Sequence, residues 1–292
     1  MIQEMTPPVQ NINPTAQCFD ETYGQAASTA KRLAGRRLLV VGAGQRQIDD
    51  PYPPIGNGRA VSVLFAREGA TLTCVDISQS SLDLTCAEGR ANGGSVFAEL
   101  ADVAQAQCVE PLVEKSCQQM GGLDGLVMVV GISSGLPLDQ QNAEVWDHEH
   151  AVNVRSNMLF AKHALRLMSP GSTIVLMSSL AALRNFSGNP SYETTKAAQV
   201  SLARSIAMAG HVKGIRCNSV LPGLIDTPLG RTATQRRPAR LGMPLPYGRQ
   251  GTGWEVAYAT LFLTSHESSY INAHALVVDG GLAAGIALTA ST

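Results

Sequence analysis

Charge of either sign is scarce in this chain of 292 residues, and neither sign predominates. Charged residues make up 15% of the sequence, and 22 basic against 23 acidic residues leave a formal net charge of -1. Without a basic excess there is no electrostatic means of neutralising a phosphate backbone, which argues against nucleic-acid binding. Hydrophobic residues reach 45%, too apolar a composition for intrinsic disorder. The composition predicts a folded protein with a substantial core.

Long hydrophobic runs and cysteine motifs are absent as well. The longest apolar runs, such as residues 126–130, fall far below the roughly 18 residues of a membrane-spanning helix, and the first residues lack the basic and apolar regions of a secretory signal. The six cysteines include no C-x-x-C pair, which argues against structural zinc and a disulfide framework. We therefore expect a cytoplasmic protein with no membrane attachment and no metal.

From about residue 36, short β-branched runs alternate with longer segments of helical periodicity. This alternation predicts an α/β fold of the doubly wound (Rossmann) type, with a seven-stranded parallel sheet and helices on both faces of a single domain. The predicted strands are residues 37–41, 71–76, 95–100, 126–130, 173–177, 216–220 and 275–278. Helical periodicity covers, among other segments, residues 58–68, 144–168, 192–209 and 254–263.

Two segments depart from this alternation. Residues 1–35, interrupted by prolines and asparagines before a short predicted helix at 26–33, form an N-terminal arm. The arm is either a partly disordered terminus or an element that packs on a neighbouring subunit. Residues 224–253 hold four prolines and five arginines and are predicted to be an irregular lid or substrate loop. The arginines of this loop form either a solvated face or a clamp for an anionic substrate, and we favour the solvated face.

Two groups of glycines follow the first predicted strand. Gly42 and Gly44 allow a tight turn and a close approach of backbone to a pyrophosphate, and Gly58, after Asn57, opens a helix whose N-terminus favours an anion. These residues predict a dinucleotide site. Residues 45–55 separate the two groups and constitute an insertion, either a solvated hairpin or a flap over the dinucleotide.

Asp76 ends the second predicted strand. An acid at this place accepts hydrogen bonds from the ribose hydroxyls of NAD and repels a 2′-phosphate, whereas the alternative role is to cap the next helix. We favour the cofactor role and predict NAD as cofactor. Arg46 and Arg59 leave NADP open.

Tyr192 and Lys196 stand four residues apart in a helical segment, so both side chains emerge on one face. An ammonium beside a phenol favours the phenolate and makes tyrosine a usable acid and base near neutral pH. Upstream, the strand at 173–177 ends in Ser178 and Ser179, at the edge where open α/β sheets bind ligands.

These motifs occur in the order, and at the spacing, of a known family. Over residues 37–281 the chain resembles the short-chain dehydrogenase/reductase family. The resemblance rests on the features above together with Asp102-Val103, Val152-Asn153-Val154, Pro222-Gly223-x-x-x-Thr227-Pro228 and Val278-Asp279-Gly280-Gly281.

The resemblance implies a catalytic tetrad. Tyr192 is then the acid and base, and Lys196 binds the nicotinamide ribose and lowers the tyrosine pKa. Ser179 positions the substrate oxygen; it is preferred to Ser178 because its separation from Tyr192 along the sequence matches the family pattern. Asn153 bends its helix and holds a water that relays the proton through Lys196 to solvent.

The resemblance also implies cofactor contacts from several loops. Asp102, with Val103 beside it, contacts the adenine. The backbone of Ile225 and the hydroxyl of Thr227, at the end of a segment that begins with Pro222 and Gly223, hold the carboxamide.

The chain departs from the family pattern at three places. Val41 replaces a threonine before the first glycine, the glycine loop carries the insertion, and residues 128–131 read M-V-V-G where the family has N-N-A-G. The last change puts local hydrogen bonding and packing beside the adenosine in doubt. No further group of metal-ligating residues accompanies His148 and His150, and helical spacing directs their side chains to opposite sides of the helix. We therefore expect no metal site.

The predicted function is oxidoreduction between a secondary alcohol and a ketone by an NAD-dependent enzyme acting on a small molecule. One alternative is an NADPH-dependent 3-oxoacyl thioester reductase, and another is a non-catalytic dinucleotide-sensing protein. By analogy with the family, helices 144–168 and 192–209 pair across a two-fold axis in a homodimer or homotetramer.

Overall fold

Parallel strands run through the centre of the protein, which a computed structural model describes over residues 29–185, 188–238 and 242–285. The strands are β1 (Arg37–Val41), β2 (Thr71–Asp76), β3 (Ser95–Leu100), β4 (Gly125–Met128), β5 (Thr173–Met177), β6 (Arg216–Pro222), β7 (Ile225–Asp226), β8 (Gly251–Thr252) and β9 (Ala275–Val278). Seven of them form one sheet in the order β3-β2-β1-β4-β5-β6-β9, and every neighbouring pair is parallel. The predicted doubly wound fold is confirmed.

Helices cover both faces of the sheet because its central strands are apolar on both sides. Leu38 and Val40 of β1 pack into the core on one face, and Leu39 and Val41 pack into the core on the other. The helices are α1 (Asn57–Arg67), α2 (Gln79–Ala91), α3 (Val109–Met120), α4 (Ala143–His150), α5 (Ser156–Leu167), α6 (Pro190–Gly210), α7 (Pro228–Arg236) and α8 (Gly253–Thr264). Helices α1, α2 and α8 cover the first face, and α3, α5 and α6 cover the second.

Several predicted boundaries need correction. The fourth strand stops at Met128 instead of residue 130, because the N–H groups of Val129 and Val130 both donate to Val41 O and end the ladder. The sixth strand continues to Pro222, since β9 pairs with it up to that residue. The helix predicted over 144–168 is divided into α4 and α5 by a π-helical turn, Ala151–Arg155.

The segment 224–253 is less irregular than predicted. It contains α7, which Thr227 caps by accepting from Gly230 N at 3.1 Å, and it contributes to a small parallel sheet of β7 and β8. A proline at the first helical position costs no hydrogen bond, so Pro228 starts this helix instead of breaking it.

The described part of the N-terminal arm packs on the end of α1. Residues 29–33 are not helical, contrary to the prediction; residues 29–31 are irregular and a turn covers residues 32–35. Leu33 is fully buried and its N–H donates to Glu68 O at 3.0 Å, while Thr29 Oγ1 donates to Arg67 O at 3.0 Å. Tertiary contacts with α1 therefore replace the helical bonds; residues 1–28 lie outside the described residues.

The strand order reverses between β1 and β4, which is where open α/β sheets form their ligand crevice. In the described ranges, no helix combines the length and the apolar character needed to cross a bilayer.

Candidate active site

A cavity opens at this crevice, beyond the carboxyl ends of the central strands. Its walls come from the loops after β4, β5 and β6 and from α1, α6 and α7. It is lined by eight of the residues predicted from sequence to contact substrate or cofactor. These are Asn57, predicted at the pyrophosphate, and Ser179, Tyr192, Lys196, Pro222, Gly223, Ile225 and Thr227, predicted at the substrate or the nicotinamide.

The first turns of α6 hold Tyr192 and Lys196 side by side. Asn189 caps the helix by accepting from Tyr192 N at 3.4 Å. The Lys196 Nζ lies 5.5 Å from the centroid of the Tyr192 ring and donates to Met177 O of β5 at 3.0 Å. The ammonium is thus fixed between the end of a central strand and the phenol, as the spacing in the sequence predicts.

Burial sets the protonation of Lys196. The lysine is 3% exposed, and desolvation lowers its pKa from 10.5 to about 7, against the charge of Glu149, which acts to raise this pKa. Glu149 itself is 1% exposed and its Oε1 accepts from Ser134 N at 2.5 Å. The site therefore holds a lysine whose charge changes near neutral pH.

The two serines after β5 have different partners. Ser178 is buried and donates its hydroxyl to the main-chain oxygen of Lys196 at 2.7 Å, so it fixes α6 against the strand. The Ser179 hydroxyl accepts from Ala181 N at 3.2 Å and lines the cavity with its own proton available to a ligand. This arrangement favours Ser179 over Ser178 for contact with substrate.

Asn153 lies in the π-helical turn behind the cavity. Its side chain makes two hydrogen bonds of 2.9 Å with the main chain of Ile132, one to the N–H and one to the carbonyl, and a third of 3.0 Å to Thr195 Oγ1. The residue is fully buried. It therefore joins the loop after β4 to α6, and its position relative to the cavity wall is fixed.

The glycine loop packs closely on its neighbours. A Cβ at position 58 would lie 1.8 Å from Gly42 O, and one at position 42, where φ is +81°, would lie 2.5 Å from Val130 N. Only glycine fits at either position. The loop after β1 and the start of α1 consequently meet backbone to backbone.

The N-terminus of α1 has features that fit a dinucleotide pyrophosphate. Gly56 supplies no side-chain cap, so the first N–H groups of the helix are left for a ligand. Asn57 Oδ1, at the edge of the cavity, is buried without a hydrogen-bond partner in the described part of the chain. An orphaned acceptor beside an uncapped helix end is what a bound polar group would satisfy.

Asp76 lies at the end of β2 against the glycine loop. Its Oδ2 accepts from Gly44 N at 2.8 Å and its Oδ1 accepts from Ser78 N at 3.0 Å. The Arg59 guanidinium is directed to α2, where Nε donates to Thr85 Oγ1 at 3.1 Å. Arg46, by contrast, is exposed and lines the cavity.

Asp102 and Val103 follow β3 and do not line the cavity. Asp102 Oδ1 accepts from Ala104 N at 3.0 Å, and Val103 is buried in the core under α3. The structure therefore separates these two residues from the group around Tyr192.

The insertion 45–55 is closed at its base and attached at its tip. Gln45 Oε1 accepts from Gly56 N at 2.8 Å, and Asp50 forms an ion pair with Arg231 of α7. Arg231 also pairs with Asp226, with Nε 2.8 Å from Oδ1. The insertion thus contacts the segment 224–253.

The unusual segment 128–131 is tied down without the asparagines of the family motif. Main-chain bonds from Val129 and Val130 to Val41 O hold its start, and the Asn153 side chain holds the loop at Ile132. Gly131 brings the loop close to the site, since a Cβ there would lie 3.1 Å from Lys196 Nζ.

No group of three or more His, Cys, Asp and Glu residues suited to a metal occurs within the residues that the structure covers. His148 is exposed, and His150 stacks on Trp146 with ring centroids 4.5 Å apart.

Sequence reasoning missed two buried polar residues near Lys196, Glu149 and Gln199. The spacing of both residues from a predicted tetrad residue could have identified them, although hydrophobic periodicity does not. Glu149 precedes Asn153 by one helical turn, and Gln199 follows Lys196 by one turn, so each shares a helix face with a predicted tetrad residue.

The chain is similar to known proteins in sequence and in fold. A family model described as enoyl-(acyl carrier protein) reductase matches residues 55–283. A 3-oxoacyl-(acyl-carrier-protein) reductase of Thermotoga maritima is 31% identical, covering 86% of this chain and 99% of that protein. A (3R)-3-hydroxyacyl-CoA dehydrogenase of Canis lupus familiaris is 33% identical, with coverage of 86% and 97%. The crystal structure of a short-chain dehydrogenase/reductase from Burkholderia xenovorans superposes with a TM-score of 0.79 at 36% identity, with coverage of 87% and 98%.

Proposed function

Because the chain belongs to the short-chain dehydrogenase/reductase family, we propose that this oxidoreductase uses NAD to interconvert a secondary alcohol and a ketone. The observation that carries the proposal is the placement of Ser179, Tyr192 and Lys196 around one cavity, with the ammonium 5.5 Å from the phenol ring. Two hydroxyls and one ammonium are what a carbonyl oxygen needs for orientation and for proton transfer.

In the direction of reduction, Ser179 and Tyr192 hold the carbonyl oxygen of the substrate. Tyr192 donates its proton to that oxygen as the carbonyl carbon is reduced, and Lys196 stabilises the phenolate that remains. In the direction of oxidation, the phenolate takes the proton from the alcohol. The nicotinamide, when bound, supplies or accepts the hydride.

The residues that would hold the cofactor are distributed along the crevice. The N-terminus of α1 with Asn57 suits the pyrophosphate, Lys196 the nicotinamide ribose, and the Ile225 backbone with the Thr227 hydroxyl the carboxamide. At the other end, Asp76 suits the hydroxyls of the adenosine ribose, with Asp102 and Val103 near the adenine.

The preference for NAD rests on Asp76, whose carboxylate disfavours a nearby 2′-phosphate. The experiment is calorimetric titration of the protein with NADH and NADPH, followed by a spectrophotometric screen of ketones and alcohols. We expect NADH to bind more tightly. Asp76→Asn should weaken NADH binding about tenfold, because a charge-assisted hydrogen-bond acceptor is lost. The same change should reduce the preference for NADH over NADPH. Asp83→Asn, an exposed change on α2, serves as the control.

Tighter binding of NADPH would refute the argument from Asp76 and make Arg46 the candidate partner of the 2′-phosphate. The panel includes 3-oxoacyl thioesters, since the relatives from Thermotoga maritima and dog carry acyl substrates in their names. Dinucleotide binding with no turnover of any compound would favour a sensing protein instead.

We also propose that the protein is a homo-oligomer formed through α5 and α6. Both helices expose large apolar side chains that a second copy would cover, namely Met158, Leu167 and Met208. Sedimentation analysis should show a dimer or a tetramer; a monomer at micromolar concentration would contradict this.

A further inference from the structure

A buried amide connects Lys196 to the π-helical turn. Gln199, fully buried on α6, accepts from Lys196 Nζ through Oε1 at 3.0 Å. Its Nε2 donates to Asn153 O at 2.8 Å and to Asn157 Oδ1 at 3.2 Å. An ammonium can only donate, so the amide oxygen must face the lysine and the amide nitrogen must face the two acceptors. The orientation of Gln199 is therefore determined by its neighbours.

Satisfying the π-helical turn does not by itself require Gln199. Asn157 Nδ2 already donates to Asn153 O at 3.0 Å. What Gln199 adds is the acceptor for the lysine. Of the three N–H groups of Lys196, one is directed at Met177 O and one at Gln199 Oε1, which leaves the third for the side that lines the cavity.

We propose that Gln199 is a positioning residue whose amide oxygen holds the Lys196 ammonium beside Tyr192 and keeps it protonated. This inference rests on the proposed function for its catalytic meaning, because Lys196 acts on substrate only through the phenol. Gln199 itself is fully buried and does not line the cavity. It acts through the lysine, and it transmits the position of the π-helical turn to Lys196.

Among the residues that the structure covers, few charged groups face Lys196, so a hydrogen bond accepted by Gln199 can change the pKa of the lysine. Of the described residues, the titratable groups that face it are Tyr192 from its own helix and Glu149 from α4, while β5 offers the Met177 carbonyl and the loop after β4 offers Gly131. Burial lowers the pKa of Lys196 to about 7, and Glu149 opposes this. A hydrogen bond accepted by Gln199 favours the charged lysine and so acts in the same direction as Glu149.

The test is the titration of Lys196 by NMR, in full-length protein labelled with carbon-13 at lysine Cε. Only five lysines contribute signals, Lys31, Lys115, Lys162, Lys196 and Lys213. The resonance of Lys196 is assigned by its loss in Lys196→Met. Gln199→Met removes the acceptor at similar volume, and Gln199→Glu replaces it with a carboxylate of the same shape. Gln118→Met makes the first change at an exposed site on α3 and is the matched control.

We expect shifts of opposite sign in the two variants. Gln199→Met should lower the pKa of Lys196 by about one, and Gln199→Glu should raise it by about one, since a charge-assisted hydrogen bond is lost in the former and an opposite charge is added in the latter. With a substrate from the screen, Gln199→Met should reduce kcat about tenfold at neutral pH with little change in KM. Gln118→Met should leave all these values unchanged.

Asn157→Leu distinguishes loss of the hydrogen bond to Lys196 from general damage to the buried polar residues Asn153, Asn157 and Gln199. It should lower the melting temperature and leave the titration of Lys196 in place, because Asn157 does not contact Nζ. The proposal is overturned if Lys196 titrates as in the unmodified protein in both Gln199 variants, or if Asn157→Leu shifts it as much as Gln199→Met does. The titration of Lys196 can be measured whether or not the protein turns over a substrate. Absence of activity in the unmodified protein would therefore refute the proposed function, while the NMR titration would still decide the role of Gln199.

Discussion

Two regions border the cavity and are called its two walls here: α6 with the π-helical turn behind it, and α7 with the insertion 45–55, which contributes Arg46 to the lining. The two walls differ in where polar side chains find their partners. In the first, Lys196, Asn153 and Gln199 are at most 3% exposed and bond to one another or to the main chain. In the second, the ion pair of Arg231 and Asp50 lies outside the lining of the cavity, and its two side chains are 35% and 24% exposed.

This contrast assigns different tasks to the two walls. Buried hydrogen bonds in a low dielectric hold their groups firmly, and a missing partner is costly. Exposed ion pairs contribute little and are screened by salt. We therefore expect the wall around Lys196 to determine the chemistry, and the wall around Arg231 to adjust to the substrate. Changes at the first should reduce kcat strongly, whereas changes at the second should affect KM weakly.

The largest effect is expected for Tyr192→Phe, which removes the transferable proton and leaves the ring. Turnover should fall by about a thousandfold or more, while NADH affinity changes by less than about twofold. Tyr270→Phe, at a fully exposed tyrosine, should be silent. Steady-state kinetics and calorimetric titration measure both quantities. Retained turnover in Tyr192→Phe would remove the basis for the difference between the two walls.

A smaller loss, about a hundredfold in kcat, is expected for Lys196→Met, together with a change in how stability depends on pH. Burial lowers the pKa of Lys196 from 10.5 to about 7, so between these values the unfolded chain binds a proton that the folded chain does not. The free energy of unfolding of the unmodified protein should therefore rise with pH across this window, relative to Lys196→Met.

Urea unfolding at pH about 6 and about 10 checks this slope. Lys162→Met, at an exposed lysine of α5, should show no such difference between the two pH values. If the free energy of unfolding of the unmodified protein, minus that of Lys196→Met, stays constant or falls as the pH rises, burial does not destabilise the charged lysine.

The smallest effect is expected for Arg231→Gln, which breaks the contacts of the insertion with α7. KM should rise by less than about fivefold with kcat unchanged, and the effect should diminish in high salt. Arg166→Gln removes a more exposed ion pair, with Glu110, away from the cavity, and should leave KM unchanged. A large fall in kcat for Arg231→Gln would show that both walls take part in the chemistry.

The sequence predicts the sheet well because its central strands are apolar on both faces and end in recognisable motifs. Periodicity does not predict the divided helix, since nothing in the pattern of residues 144–168 reveals an additional residue per turn. Only the resemblance to the family implies a bend at Asn153, where the π-helical turn lies. For α7 a signal existed in Thr227-Pro228, a cap followed by a proline at the first helical position, but the later prolines of the segment obscured it.

The candidate site divides in the same manner. Ser179, Tyr192 and Lys196 are identifiable because motif order places them at one sheet edge. Glu149 and Gln199 are not, because a polar residue in a helical pattern is ordinarily assigned to the solvated face, and only tertiary packing reveals that it is buried against a lysine.

The most direct test of the account is isotope transfer. The protein would be incubated with ketones from the screen and NADH that carries deuterium at nicotinamide C4 in either of the two stereochemical positions, and the alcohol product analysed by mass spectrometry. We predict one deuterium on the carbinol carbon from one of the two labelled forms, and its loss in Tyr192→Phe. If the alcohol forms without deuterium from either form, or forms equally well in Tyr192→Phe, hydride transfer assisted by Tyr192 is not the reaction of this protein.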